Sequence, residues 1–212
     1  NNDSVYETAI SLIQKGIKVQ AIIDNREEID SKLIKETEKN NIKIYKGYTI
    51  VDTFGYKRIN SVSIMKLSKD GQKVIGSKEN ISCDSLGISG GWTPAVHLFT
   101  QSGGKLKFRD DDQVFIPNTY PSNQISIGSC NGDFTLDEIL INTPKLLKEF
   151  LNIKKTEYEN IEIYSAFNKS KRNIWLLPSN KIVGKTKSFV DFQNDATAKD
   201  IKLALREGFR SI

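Results

Sequence analysis

Residues 4–24, SVYETAISLIQKGIKVQAIID, restrict the fold more than any other stretch. Ala9, Leu12 and Ile13 recur at helical spacing, with Asp3 or Ser4 placed to cap the first unpaired N–H groups. Gly16 then stops the helix, and Val19–Ile23 is a strand with few polar residues, ending at Asp24. Strands this apolar are buried on both faces, as in parallel sheets covered by helices. A helix feeding such a strand is the second half of a βαβ unit, so an α/β fold is expected. The spacing also fits a dinucleotide fingerprint: a turn, a helix, a strand and an acid a little over ~20 residues on. The glycines that let a pyrophosphate approach the backbone are absent, because the turn reads Asn1-Asn2-Asp3. Asp3 would set a negative charge beside the phosphates, and Tyr6 stands where close helix–strand packing wants Gly or Ala. Either this is a nucleotide site with a spoiled cradle, or it is a capped helix whose Asp24 binds a neighbouring loop; the side chains favour the second.

Further along, residues 29–40 predict a second, highly charged helix and Ile42–Tyr45 a short strand. Alternation over Tyr48–Thr53, Arg58–Leu67 and Gln72–Ile75, with Lys69-Asp70-Gly71 as the turn, predicts an antiparallel meander set into the α/β domain. Asn80–Ser89 is expected as a buried strand broken by Gly90-Gly91-Trp92-Thr93-Pro94, and Ser102-Gly103-Gly104 as a tight or mobile loop. Ile125–Gly128 is expected as an apolar strand and Thr135 to Phe150 as a helix. Two more strands are expected at Ile161–Tyr164 and Ile174–Leu177, the second closed by Pro178. The last helix has Thr197 or Asp195 as cap, Ile201, Ala204 and Leu205 on one face, and Gly208 at its end.

The chain has 212 residues, enough for one large or two small domains. It begins at Asn1 inside a structural unit and is expected to be a piece of a longer protein. No apolar run approaches the roughly 18 residues of a membrane span, and the polar start is no signal peptide. Cys83 and Cys130 lie far apart, which fits a reducing, cytoplasmic setting rather than a disulfide framework. The formal charge of +5 comes from lysines mixed with acids. The densest basic run, Lys169–Arg172, lacks the aromatic neighbours or basic helix face of a nucleic-acid site and reads as an exposed loop.

The junction Ile127-Gly128-Ser129-Cys130-Asn131-Gly132-Asp133 follows an expected strand and precedes a helix, whose free N–H groups could meet a phosphate or ribityl-type oxygen. Gly132 matters there because a side chain would push into the ligand or open the turn. His97, the single histidine, reads as a packed, hydrogen-bonded residue rather than a base. Asp110-Asp111-Asp112 could hold a metal, but three acids in a loop read more simply as solvated. Two cysteines without a nearby histidine give no zinc spacing, and no nucleophile–base pair can be assembled. No catalytic or metal-binding residue is assigned.

Two blocks, ISGGWTPAVHLFTQSGGK at 88–105 and SFVDFQNDATAKDIKLALREGFRSI at 188–212, resemble the alpha subunit of heterotetrameric sarcosine oxidase. The order of pieces agrees throughout: the NNDSVY turn, the meander, CDSLGISGGWTP, the GSCNG junction and VDFQNDATAKDI. The resemblance implies a Rossmann-like module of two dinucleotide domains, like that of flavin disulfide reductases, then the start of a small α/β domain. On this mapping residues 1–100 are the second dinucleotide-binding-like domain without its first strand. Residues 101–150 return to the first, NAD-binding domain, and 151–212 are the linker and start of the small domain. NAD would lie in the first domain, leaving the NNDSVY turn empty. The implied contacts are Ser129, Phe134 and Leu136 in the turn that holds Gly128 and Gly132; the family commonly has Ala at Ser129 and differs around Phe134. FMN, covalently attached, and FAD would lie on the beta subunit, with tetrahydrofolate in a downstream domain. Partners would be beta, gamma and delta subunits, and the Gln101–Lys105 loop either faces the FMN interface or is an ordinary turn. The implied activity is oxidative demethylation of sarcosine to glycine, with oxygen as acceptor and tetrahydrofolate taking up the one-carbon unit. Related opine- or cyanide-forming amine dehydrogenases carry cysteine-ligated [2Fe-2S] modules, whereas Val190–Asn194 has no Cys. A third possibility is a non-catalytic interaction module with a vestigial dinucleotide fold.

Overall fold

The computed structural model describes residues 2–29, 32–153, 174, 176–178 and 187–210. The expected strand at Ile161–Tyr164 and the basic run Lys169–Arg172 lie outside the described residues. Two compact units are formed, one by Asn1–Lys46 with Gly87–Asn173, the other by Gly47–Leu86 with Ile174–Ile212.

The first unit opens with helix α1 (Ser4–Gln14), strand β1 (Ala21–Asp24), helix α2 (Lys32–Lys39) and strand β2 (Lys43–Lys46). Gly16, at φ +80°, ends α1 by turning the amides of Gly16 and Ile17 back onto the Ile13 and Leu12 carbonyls at 2.8 and 3.0 Å. β1 and β2 pair in parallel, Ala21 opposite Lys43 and Asp24 opposite Lys46. The helical stripe and the strand faces meet in a core of Tyr6, Ala9, Ile22, Ile34 and Ile42. The opening stretch therefore folds as its periodicity predicts.

The chain re-enters this unit through a short helix, α3 (His97–Gln101), then a hairpin of β6 (Lys105–Arg109) and β7 (Val114–Thr119). Ser102-Gly103-Gly104 is a tight turn, with the Gly104 amide bonded to the Phe99 carbonyl at 3.1 Å. A methyl group on Gly104 would fall 2.4 Å from the buried Phe99 ring. Gly104→Ala is expected to destabilise the protein by about 1–3 kcal/mol through this overlap, read as a lower urea midpoint with an unchanged m-value. His97 is exposed at the start of α3, contrary to expectation, because Phe99 and not His97 occupies the inward position of this helix. Residues 125–127 do not form the expected strand. Ile127 is extended at φ −133° and ψ 158°, but Gly128 at φ +64° turns the chain at once into a 3-10 turn, Gly128–Asn131. Helix α4 (Leu136–Leu151) follows.

In the second unit the meander is β3 (Tyr48–Phe54), β4 (Ser61–Leu67) and β5 (Val74–Ser82), all antiparallel with β4 in the middle. Being central, β4 buries both faces: Val62, Ser63, Ile64 and Met65 are all inside. Ser63 is satisfied there by its hydroxyl bond to Asn80 Oδ1 at 2.6 Å. The separate buried strand expected over Asn80–Ser89 is absent. Pairing of Ser61 with Ser82 and Ser63 with Asn80 draws the first residues into β5, and Ile88 beyond it is 83% exposed. Ile174 and residues 176–178 carry no strand. A two-stranded ladder of β8 (Phe189–Asp191) and β9 (Ala196–Thr197) leads into α5 (Ala198–Arg206). Thr197, one of the two expected caps, holds α5 in a capping box with Asp200, and Gly208 follows at φ +96°.

Candidate functional site

Two turns bear on nucleotide binding, and their chemistry differs. At the first, Asp3 sits at the N-cap position of α1 but its side chain does not cap. Asn2 does so instead, its Oδ1 accepting from the Ser4 amide at 3.0 Å and from the Ser89 hydroxyl at 2.8 Å. The Asp3 carboxylate pairs with the Arg26 guanidinium at 2.7 Å. The same guanidinium donates to Asp24, Nη2 at 2.8 Å and Nε at 3.1 Å, and the Arg26 amide adds a bond at 2.9 Å. The Tyr6 hydroxyl donates to Asp24 Oδ2 at 2.9 Å. All four residues are buried, Arg26 being the most exposed at 8%.

This cluster explains why the turn holds its shape without glycines. Burial pushes the Asp24 carboxyl up, but the Arg26 side chain and amide outweigh it and hold the group below the usual carboxylate range. Burial and the neighbouring Asp24 push the Tyr6 phenol well above its ordinary value. The acid that a dinucleotide site offers to ribose is thus engaged by Arg26 and Tyr6. The reading of Asp24 as bound to a neighbouring loop holds, while that of Asp3 or Ser4 as the side-chain cap does not. Arg26 was missed from the sequence. Its signal was electrostatic: two acids flanking apolar segments need a counter-charge, and Arg26 is the first cation past the strand.

The second turn is Gly128 to Leu136. Gly128 and Gly132 are buried, whereas Ser129 and Cys130 are exposed and Leu136 is 67% exposed. The amides of Gly132 and Asp133 fold back onto the Ser129 and Gly128 carbonyls at 3.1 and 3.2 Å. Thr135 caps α4 and Glu138 completes the box, its carboxylate accepting from the amides of Phe134 and Thr135 at 3.0 and 3.3 Å. The amides that Glu138 takes precede α4, and within the first turn of the helix the Thr135 hydroxyl accepts from the Glu138 amide at 3.4 Å. Ser129 and the apolar side chains of Ile127 and Leu136, 38% and 67% exposed, lie at the surface of this turn. Behind it, Arg109 Nη2 donates to the Gly132 carbonyl at 2.8 Å while the fork grips Asp112. Asp112 is therefore not a solvated acid, although Asp110 and Asp111 are exposed.

Over its whole length the chain aligns with three proteins named sarcosine oxidase subunit alpha. Identity is 28% for that of Corynebacterium sp. strain U-96, 27% for strain P-1 and 26% for that of Rhizobium meliloti strain 1021. The chain is thus similar along its whole length to sarcosine oxidase alpha subunits. It spans about a fifth of the length of these relatives, 22%, 22% and 20% respectively. Residues 185–212 match the family model described as the sarcosine oxidase A3 domain, the stretch that carries β8, β9 and α5. The fold of the chain resembles T. acidophilum thioredoxin reductase, with a TM-score of 0.53 at 18% identity over 69% of this chain and 48% of that one. The mixed α/β, disulfide-reductase-like fold expected from the sequence is thus the one observed. No described helix is long and apolar enough to cross a membrane.

Proposed function

We propose that this chain is part of the alpha subunit of a cytoplasmic sarcosine oxidase complex, contributing a portion of an NAD site and surfaces for partner subunits. The observation that carries this reading is homology along the whole chain to named alpha subunits. The complex would convert sarcosine to glycine oxidatively, using oxygen and tetrahydrofolate, with beta, gamma and delta subunits alongside. Flavin chemistry would belong to FAD and FMN on the beta subunit. No residue of this chain is given a catalytic role. Residues 1–100 would be the second, empty dinucleotide domain, 101–150 the returning part of the NAD domain, and 151–212 the linker and start of the small domain.

The turn at Gly128 fits the sugar part of NAD. Ser129 would donate to or accept from a ribose hydroxyl, and Phe134 and Leu136 would line the ring. Gly128 and Gly132 would shape the backbone from behind. The phosphates would lie away from this turn, since the Glu138 carboxylate, which accepts from the Phe134 and Thr135 amides just before α4, sets a negative charge there. Whole-chain homology to oxidase subunits does not favour an amine dehydrogenase or a bare interaction module.

NAD released on denaturing the assembled enzyme is expected in stoichiometric amount, while residues 1–212 alone should give no calorimetric NAD binding at micromolar concentration. An assembled enzyme without NAD, or tight binding by the isolated chain, would overturn this reading.

A further inference from the structure

Resting on the reading of Gly128–Leu136 as part of an NAD site, we propose that Arg109 is the positioning residue of that site. It acts from the side opposite to the ligand. Arg109 ends β6, is only 26% exposed in its side chain, and carries two separate loads. Its fork is fixed on Asp112 across the hairpin tip, Nε to Oδ1 at 2.7 Å and Nη2 to Oδ2. The same Nη2 donates to the Gly132 carbonyl at 2.8 Å. Gly132 at φ +87° is the residue at which the 3-10 turn reverses, and its Cα side is filled by the two Arg109 Nη atoms and Ile116 Cγ2.

A rigid hairpin thereby sets the position of a turn that has no regular ladder of its own. The Asp112 bond raises the guanidinium's affinity for its proton, so the cation persists at every working pH. Asp133 and Glu138 add to the negative field around it. Lysine cannot replace this arrangement, because a single ammonium group does not reproduce a planar fork held at two points. Whatever the outward face of the turn binds, its register follows from Arg109.

The test uses the complete assembled enzyme stripped of NAD, with three readouts: the NAD dissociation constant, hydrogen exchange at the Gly132 and Asp133 amides, and thermal stability. Arg109→Lys is expected to weaken NAD binding about tenfold, the worth of one charge-assisted hydrogen bond. Exchange at the two amides should speed up in the same variant, and Asp112→Asn should act in the same direction more weakly. Val62→Ala, in the buried core of the meander, should lower thermal stability and leave NAD affinity and the two amides unchanged. Ser129→Trp, on the outward face, should abolish NAD binding. If Arg109→Lys leaves exchange or NAD affinity unaltered while Ser129→Trp loses NAD, the positioning role is overturned and the site stands. The role is equally overturned if Val62→Ala weakens NAD as much as Arg109→Lys does. If Ser129→Trp keeps NAD, the site itself is misplaced and the inference falls with it.

Discussion

Arg26→Met is expected to destabilise the protein by about 3–5 kcal/mol, because it leaves two buried carboxylates without their cation. Urea denaturation at neutral pH would measure this, and a loss below about 1 kcal/mol, typical of a solvated pair, would show that the cluster is hydrated. Replacing the whole group, Asp3→Ala with Tyr6→Phe, Asp24→Leu and Arg26→Met, should restore most of the loss, since an apolar set needs no counter-charge and leaves no hydroxyl without an acceptor. The wild type should also report the cluster through pH. Asp24 titrates below its unfolded value, so its stabilisation is complete above pH ~4 and disappears as pH falls through the depressed folded value. Tyr6 is shifted upward, so its contribution is complete below pH ~10 and declines as pH rises beyond that. The Arg26→Met variant should lose the acid limb first.

Gly132→Val is expected to cost about 3 kcal/mol, combining a left-handed backbone with overpacking. A Cβ there would lie 2.9 Å from both Arg109 Nη2 and Ile116 Cγ2. The damage therefore falls on the support of the turn. Of the two effects expected from the sequence, a side chain pushed into a ligand or a turn forced open, the packing of Gly132 corresponds to the second. Gly16→Ala separates the two components: it has a similar φ of +80° with nothing within 4 Å, so it should cost only the backbone strain of ~1 kcal/mol. Bound NAD in the assembled enzyme should fall in Gly132→Val and stay unchanged in Gly16→Ala. Comparable losses of stability in the two would remove the packing role given to Arg109 and Ile116.

Local signals made α1, β1 and the meander legible. Helical repeats at Ala9 and Ile13, the apolar run before Asp24 and the Asp70-Gly71 turn each act within a few residues. Asn80–Ser89 misled because its apolar residues suit a strand, while which strand it joins is decided by pairing with β4. The hairpin of β6 and β7 was hidden because its tip is acidic and its outer faces carry Lys105 and Lys107. At the Gly128 turn the sequence located the small residues. It could not reveal that Glu138 would take the amides of Phe134 and Thr135 just before the helix, although Thr135 and Glu138 stand at capping-box spacing. Nor could it reveal Arg109, whose partner atom is a backbone carbonyl 23 positions away. Such a contact leaves no pattern in side-chain types.

The buried group around Arg26 also constrains how this turn can change by mutation. Two acids share one cation, so the substitutions do not commute. Losing Asp3 first leaves Arg26 balanced by Asp24, a tolerable intermediate. Losing Arg26 first strands both carboxylates in the core, a step worth several kcal/mol against a total stability of about 5–15 kcal/mol. Any lineage moving between a phosphate-accepting turn and this one must therefore take Arg26 and Asp3 in a fixed order. Surveys of natural or selected variants should find Arg26 without Asp3 far more often than Asp3 without Arg26.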